Sequence, residues 1–322
     1  MRQTRYFVLC ASGVLVLGLC TGLFAYFNRG AALAVSVSGP LELSYVPADA
    51  TVVGYANVRE VMLSDFRERI RQVAPDGVGQ NALEEQLGLD VERDIDHVLA
   101  FMAPGAEGTP AGLVLFRGRF DTTRLEAAAR SAGGTVSTYG DTRIVSAEAE
   151  EIGPLAMAFM EPGLVAVGDL PTVQQAVDRG DGGASLVDNA EMAALLERVE
   201  DGSNAWAVGR FGELSSLGMI PDEVSSRMPA VSSFALSGRV NGGLSGALTI
   251  EGRDEDAGQN LRDVFRGFMA LAKMQTAEQP GLQTMLDSLQ FGGAGALVTM
   301  SFRLPSEALD FIFSTAESVP AN

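Results

Sequence analysis

Thr51-Val52-Val53-Gly54-Tyr55-Ala56-Asn57-Val58 is the stretch on which the fold turns. Its β-branched and aromatic residues read as a strand, and Pro47-Ala48-Asp49 before it reads as a turn. From Arg59 the period changes. Val61, Met62, Phe66, Ile70 and Val73 recur near helical spacing and predict a helix from about Arg59 to Val73. The same order begins again further along, at Asp201-Gly202-Ser203-Asn204-Ala205-Trp206-Ala207-Val208-Gly209-Arg210-Phe211. With an offset of 153 residues, Val58 meets Phe211, Glu60 meets Glu213 and Val61 meets Leu214. A strand that feeds a helix, twice, predicts a degenerate internal duplication.

Working outward, strands and helices alternate. Residues 74–96 read as a Gly- and acid-rich connection with a short helix at Asn81–Leu87. Val98–Met102 and Gly112–Arg117 read as paired strands joined by a loop from Pro104 to Pro110. Asp121 or Thr122 then caps an Ala-rich helix, Arg124 to Ser131, stopped by Gly133-Gly134. Two hairpins follow, at Val136–Ala147 and Leu155–Gly168, the second turning at Glu161-Pro162-Gly163. A helix from Asp169 to Asp178 and the loop Gly180-Asp181-Gly182-Gly183 follow, and then a helix from Asn189 to Val199. The second half carries a strand pair at Val231–Val240 and Leu244–Glu251, then a long helix from Ala257 to about Thr276. Leu261, Val264, Phe265, Phe268, Leu271 and Ala272 form one stripe on that helix, with Met269 and Met274 beside Phe265 and Phe268. It reads as core-facing, and a groove for an acyl chain would use the same residues. A strand at Leu297–Leu304 and a helix at Ser306–Thr315 end the chain's pattern. The fold class that follows is α+β, mostly antiparallel sheets with packed helices. The division is a leader of residues 1–35, a first repeat at 36–188 and a second at 189–322.

Pro47 to Val58, Gly118-Arg119-Phe120-Asp121, Gly168-Asp169 before a helix, and Gly183-Ala184-Ser185-Leu186 before Asn189 resemble a family of bacterial exported proteins of unknown function. The likeness covers most of residues 43–210. It implies an N-terminal signal or anchor and an α+β body, and it carries no catalytic residues to transfer.

The leader sets the expected location. Tyr6 to Phe27 is an uncharged apolar run of 22 residues between Arg2/Arg5 and Arg29. As a helix it would span roughly 33 Å, enough for a hydrocarbon core of about 30 Å. The excess of arginine before it predicts a cytoplasmic N-terminus and an extracytoplasmic body. The expectation is therefore a single-pass protein of the inner membrane, with a short cytoplasmic stub, an anchor at 6–27 and a linker. Secretion after cleavage near Ala34, in Ala32-Leu33-Ala34, is the alternative. A lipoprotein reading is disfavoured by the leucine before Cys20.

Charge and chemistry narrow the function. Setting aside Arg2, Arg5 and Arg29 leaves 20 basic residues against 41 acidic, a balance of −21 for the body. That balance repels nucleic acid, so no nucleic-acid partner is expected. Both cysteines, Cys10 and Cys20, lie in the apolar run, so the body has no disulfide and no thiolate nucleophile or metal ligand. One histidine, His97, excludes a His-based metal cluster. No serine stands in a Gly-x-Ser-x-Gly elbow; Gly243-Leu244-Ser245-Gly246 reads as a hairpin turn. The single lysine, Lys273, reads as a solvated side chain. Gly292-Gly293-Ala294-Gly295 precedes a strand, whereas a phosphate loop must open a helix. Asp254-Glu255-Asp256 reads as a helix N-terminus, and Trp206 as a core residue. His97, in Asp94-Ile95-Asp96-His97, could be a pH-responsive spot beside two carboxylates; the simpler reading is a strand-end cluster facing water.

No catalytic, cofactor-binding or metal-binding residue is therefore nominated. The expected role is non-enzymatic: a membrane-held extracytoplasmic protein that binds an envelope protein, a lipid or another envelope component. A carrier of lipid or apolar ligands is the first alternative, needing an enclosed apolar cavity. A carboxylate-based hydrolase is the second, needing two acids facing across a cleft.

Overall fold

The computed structural model describes residues 40–64, 90–105, 109–131, 133–149, 153–211, 231–240, 243–275, 283 and 286–305. The run Tyr6–Phe27, most of the helix expected at Arg59–Val73, and the helices expected at Asn81–Leu87 and Ser306–Thr315 lie outside the described residues. The protein is α+β with antiparallel strand pairing, and it divides into two compact units. Of the described residues, the first unit takes 40–59 and 90–194, and the second takes 60–64 and 195–305.

The first unit opens on a 3-10 turn, Leu41–Tyr45, and then β1 (Val52–Ala56), which runs into the short helix α1 (Val58–Met62). A single helical turn, α2 (Val91–Asp94), leads into β2 (Ile95–Pro104), which pairs with β3 (Pro110–Gly118). The connection read at 74–96 is thus too long: Asp90 accepts the Glu92 and Arg93 backbone N–H groups at 3.0 and 3.2 Å, and the strand starts at Ile95. That carboxylate cap is enough to hold one turn between two extended segments. The helix α3 (Thr122–Ser131) is capped by Asp121, whose carboxylate accepts the Arg124 N–H at 3.0 Å. The hairpin β4 (Thr135–Tyr139) and β5 (Thr142–Ala149) precedes β6 (Gly153–Glu161) and β7 (Leu164–Gly168). The turn between β6 and β7 is the expected Glu161-Pro162-Gly163, with Gly163 at φ 78°, where a side chain would be strained. Next come α4 (Leu170–Gly180), a 3-10 turn at Leu186–Asp188 and α5 (Ala190–Leu196).

Strand order in this unit is β1-β2-β3-β7-β6-β5-β4. Its register aligns one row across five strands: Leu99 faces Leu115, Leu115 faces Ala166, Ala166 faces Ala158 and Ala158 faces Ile144. All five are fully buried. The helix α4 lies against β3, β6 and β7 and buries Val173, Ala176 and Val177. Alternation supplies one apolar side chain per strand to the row, and the helix removes the row from water.

The second unit contains β8 (Ala205–Arg210), β9 (Val231–Val240), β10 (Gly243–Gly252), the long helix α6 (Glu255–Gln275), β11 (Gln290–Gly292) and β12 (Leu297–Pro305). Their order is β11-β12-β10-β9-β8. The helix α6 packs on β10 and β12. There Leu261 meets Val231 and Val298, with Phe211, Ile250 and Phe265 closing around them. Arg262 fixes the crossing by donating from Nη1 to the carbonyls of Gly295 and Leu297, both at 2.9 Å.

The stripe on α6 reads differently in the structure. Leu261 is buried and Phe265 half-buried, but Val264, Phe268 and Leu271 are 57, 72 and 51% exposed, and Met274 beyond them is 77% exposed. The reason is partly one of position along the axis. Phe268 stands within about 20° of both buried Ala257 and buried Leu261, but the packing on the sheet involves Leu261, Arg262 and Phe265, nearer the start of the helix. Leu271 and Met274 differ in angle as well, since at about 100° per residue they stand roughly 80° and 140° from Leu261. The expectation that the whole stripe is core holds for Leu261, holds in part for half-buried Phe265 and Ala272, and fails for Val264, Phe268 and Leu271.

Candidate functional site

Among the described residues, a dense grouping of charge around a buried group lies in the first unit, where the Leu41–Tyr45 turn sets Glu42 against β2 and β3. The β2–β3 register sets His97 opposite Arg117. Two residues along each strand stand Leu99 and Leu115, so alternation places His97 and Arg117 on the same face as the row. Glu42 descends onto them from the turn and is 3% exposed. Arg117 Nε donates to Glu42 Oε1 at 2.7 Å, and its Nη2 donates to Glu161 Oε1 at 2.5 Å. His97 Nε2 lies 3.2 Å from Glu42 Oε2. The approach is too far off axis for a well-formed hydrogen bond, so the contact is an ion pair when the imidazole is protonated. Tyr55, on β1, places its ring 5.4 Å from the imidazole, tilted by 46°.

Burial by itself pushes the Glu42 carboxyl up. The contacts with His97 and Arg117 and its own backbone N–H outweigh burial and hold it down to about 2. Burial also raises the Tyr45 hydroxyl, with the Glu161 charge adding to it. The guanidinium of Arg117 spans two carboxylates, which raises its affinity for the proton against the opposing effect of burial.

The turn that carries Glu42 is itself held from three sides. Arg179, on α4, donates to the Tyr45 carbonyl at 3.3 Å, and Leu186 N–H donates to the Val46 carbonyl at 2.8 Å. Asn189 Nδ2 donates to the Ala48 carbonyl at 2.6 Å while its own oxygen caps α5. At Gly180 the Tyr45 ring comes so close that a Cβ would sit 2.6 Å from Cε1, so any side chain there would displace the ring. The whole is a closed network of opposed charges around one ionised carboxylate. Such a network ties the turn to the sheet; a carboxyl held near 2 is a poor general acid or base at neutral pH.

The neighbouring carboxylates of the Asp94-Ile95-Asp96-His97 string go elsewhere. Asp96 pairs with Arg59, and Asp94 accepts the Asp90 N–H at 3.0 Å and pairs with Arg93. The carboxylate against the imidazole is instead Glu42, 55 positions earlier, and the side chain of His97 is 23% exposed rather than turned out to water. No sequence signal singles out Glu42: it is one acid between two leucines.

The other residues of interest fall as follows. Trp206 lies in β8 and is buried. Lys273 is exposed and 2.7 Å from Asp287. Asp254 caps α6 by accepting the Ala257 N–H at 2.8 Å. Ser245 lies inside β10, opposite Arg239 and Arg303, so the string Gly243–Gly246 is strand rather than turn. Gly293-Ala294-Gly295 links β11 to β12, with Gly293 and Gly295 at positive φ. Among the described residues, no group of three or more His, Cys, Asp or Glu could hold a metal ion. Among them, too, no helix is long and apolar enough to cross a membrane.

No protein-family model matches the chain, and no curated protein matches it in sequence. Among solved structures, the chain is similar to that described as "Structure of crystal form I of TP0453", at 12% identity and a TM-score of 0.46. The match covers 87% of this chain and 100% of the other. This is a distant likeness, from which nothing about activity follows.

Proposed function

We propose that the protein is a single-pass, membrane-anchored extracytoplasmic protein that acts by binding an envelope protein, a lipid or another envelope component, not by catalysis. The observation that carries the reading is the run Tyr6–Phe27, 22 residues without a charge, bracketed by Arg2 and Arg5 on one side and Arg29 on the other. The resemblance of residues 43–210 to bacterial exported proteins points the same way. The acidic body, at −21, suits a protein that stays clear of nucleic acid.

A degenerate duplication belongs to the same proposal. Its support is the repeated order of a strand pair followed by an Asp-capped helix: β2 and β3 before Asp121 and α3, then β9 and β10 before Asp254 and α6.

A reporter enzyme fused after Asn322, active only outside the cytoplasm, tests the topology. Activity, with the intact chain in the membrane fraction, is the expected outcome. A reporter confined to the cytosol refutes the reading. A shortened chain in the soluble fraction, beginning near Ala34, replaces anchoring with secretion.

A further inference from the structure

We propose that the outward face of α6 is a lipid-contact surface, seated in the interfacial zone of the bilayer that holds the N-terminal run. The proposal deepens the anchored reading and rests on it.

The face is built from Val264, Phe268, Leu271 and Met274, all at least half exposed, with exposed Gly267 and Ala270 between them. A Cβ at Gly267 would meet nothing within 4 Å, so the surface there is open. Projected at about 100° per residue, these six residues fill one arc of roughly 160°. It is bounded on one side by buried Leu261 and preceded along the helix by exposed Asp263, which shares the azimuth of Ala270 and Met274. No charged or hydrogen-bonding side chain interrupts the arc from Val264 to Met274. The basic residues of that stretch, Arg266 and Lys273, project from other directions and pair with Asp263 at 2.8 Å and Asp287 at 2.7 Å. No acid lies between Val264 and Gln275, although the chain carries 41.

Three observations select lipid over a protein partner. First, the arc's side chains from Val264 to Met274 include no donor or acceptor and offer nothing directional, whereas specific protein interfaces carry about one hydrogen bond per 100–200 Å². An amphipathic helix lying in a bilayer interface needs only the apolar face. Second, two copies meeting on these four side chains would bury under about 1,000 Å², short of the roughly 1,200–2,000 Å² of stable interfaces. Third, only 12 residues separate Phe27 from Pro40, which at full extension reach about 40 Å. An anchored chain therefore keeps the body beside the bilayer at all times, and a weakly apolar face suffices at that effective concentration.

The test moves the chain's single tryptophan onto the face. The full-length chain carrying Trp206→Phe and Phe268→Trp is reconstituted into vesicles of phosphatidylcholine with a quarter anionic phosphatidylglycerol, with and without lipids brominated on the acyl chains. Retention after an alkaline carbonate wash is read in parallel. The expected result is retention, with emission of the introduced indole quenched about threefold by the brominated lipid. Adding Leu271→Asp and Met274→Asp should abolish the quenching. The parent chain, whose only tryptophan is the buried Trp206, should be unaffected by bromine. A retained chain whose introduced indole is not quenched overturns this proposal and leaves anchoring intact. Emission that shifts with protein density in the bilayer, without quenching, overturns it in favour of a second copy. Loss of the chain in the wash refutes anchoring, and this proposal with it.

Discussion

The helices α4 and α6 begin alike and are covered differently. Each follows a strand of an antiparallel sheet, and each starts on an aspartate. Asp169 accepts the Thr172 N–H at 2.9 Å, and Asp254 accepts the Ala257 N–H at 2.8 Å. Each lays apolar side chains on its sheet. Yet α4 buries Val173, Ala176 and Val177 and presents a narrow apolar sector, whereas α6 buries Leu261 and leaves Phe268 72% exposed. Capping and period make the helix in both cases. What separates them is chiefly length: α4 has 11 residues and α6 has 21, and Phe268, two turns beyond buried Leu261 and at nearly the same angle, is left uncovered.

The strongest way to break this comparison is to put a charge on each face. Val173→Asp buries a carboxylate with no partner and should destabilise the first unit by at least about 3 kcal/mol. Phe268→Asp places the same group in water and should change stability by no more than about 0.5 kcal/mol. Urea unfolding followed by circular dichroism reads both. Equal losses would mean that the α6 face is covered in solution.

The next effect concerns what closes the α4 side. The Leu41–Tyr45 turn meets α4 through Arg179 and Gly180 and is held to the sheet through Glu42. The Glu42 carboxyl is held at about 2 in the folded protein against an ordinary 4.5. A depressed folded value means the stabilisation is complete above about pH 4.5 and is lost as pH falls from there toward 2. Its size is about 3 kcal/mol at neutral pH. Glu42→Gln should lower neutral-pH stability by about that amount and flatten the acid limb of the pH–stability curve over the same window. An unchanged acid limb would show that the carboxylate is not held by Arg117 and His97 as described.

How much of this is readable beforehand depends on range. The strands and their turns are legible because β-branched runs and Glu161-Pro162-Gly163 act within a few residues. The caps Asp121, Asp169 and Asp254 are legible for the same reason. Glu42 is not, because its partners His97 and Arg117 stand 55 and 75 positions away and the register of β2 and β3 sets those two side by side. The apolar stripe of α6 is visible in full, but a helical period does not say how much of an arc has a neighbour. His97 stands out for the carboxylates beside it, yet strand alternation and local pairing direct those side chains to Arg59 and Arg93.

A smaller effect tests the likeness of the two helices. Asp169→Ala and Asp254→Ala each remove a side-chain acceptor from a first-turn N–H and should cost about 1 kcal/mol apiece. Because Asp169 also accepts the Thr172 hydroxyl at 2.7 Å, its loss should be the larger of the two. Thermal melts of the two variants, side by side, decide the order.

The smallest effect has the opposite sign. Gly267 sits inside α6 on the exposed arc, and a methyl group there would touch nothing within 4 Å. Glycine in a helix interior costs about 0.5–1 kcal/mol relative to alanine through the freedom it has in the unfolded chain. Gly267→Ala should therefore stabilise the second unit by about that amount, measured as a higher urea midpoint with an unchanged slope. No substitution at the equivalent place on α4 has the same promise, since Val173, Ala176 and Val177 already fill that face. A drop in stability at Gly267 would mean that another surface approaches the helix closely enough to exclude a methyl group. The contrast between a covered and an open helix would then be lost.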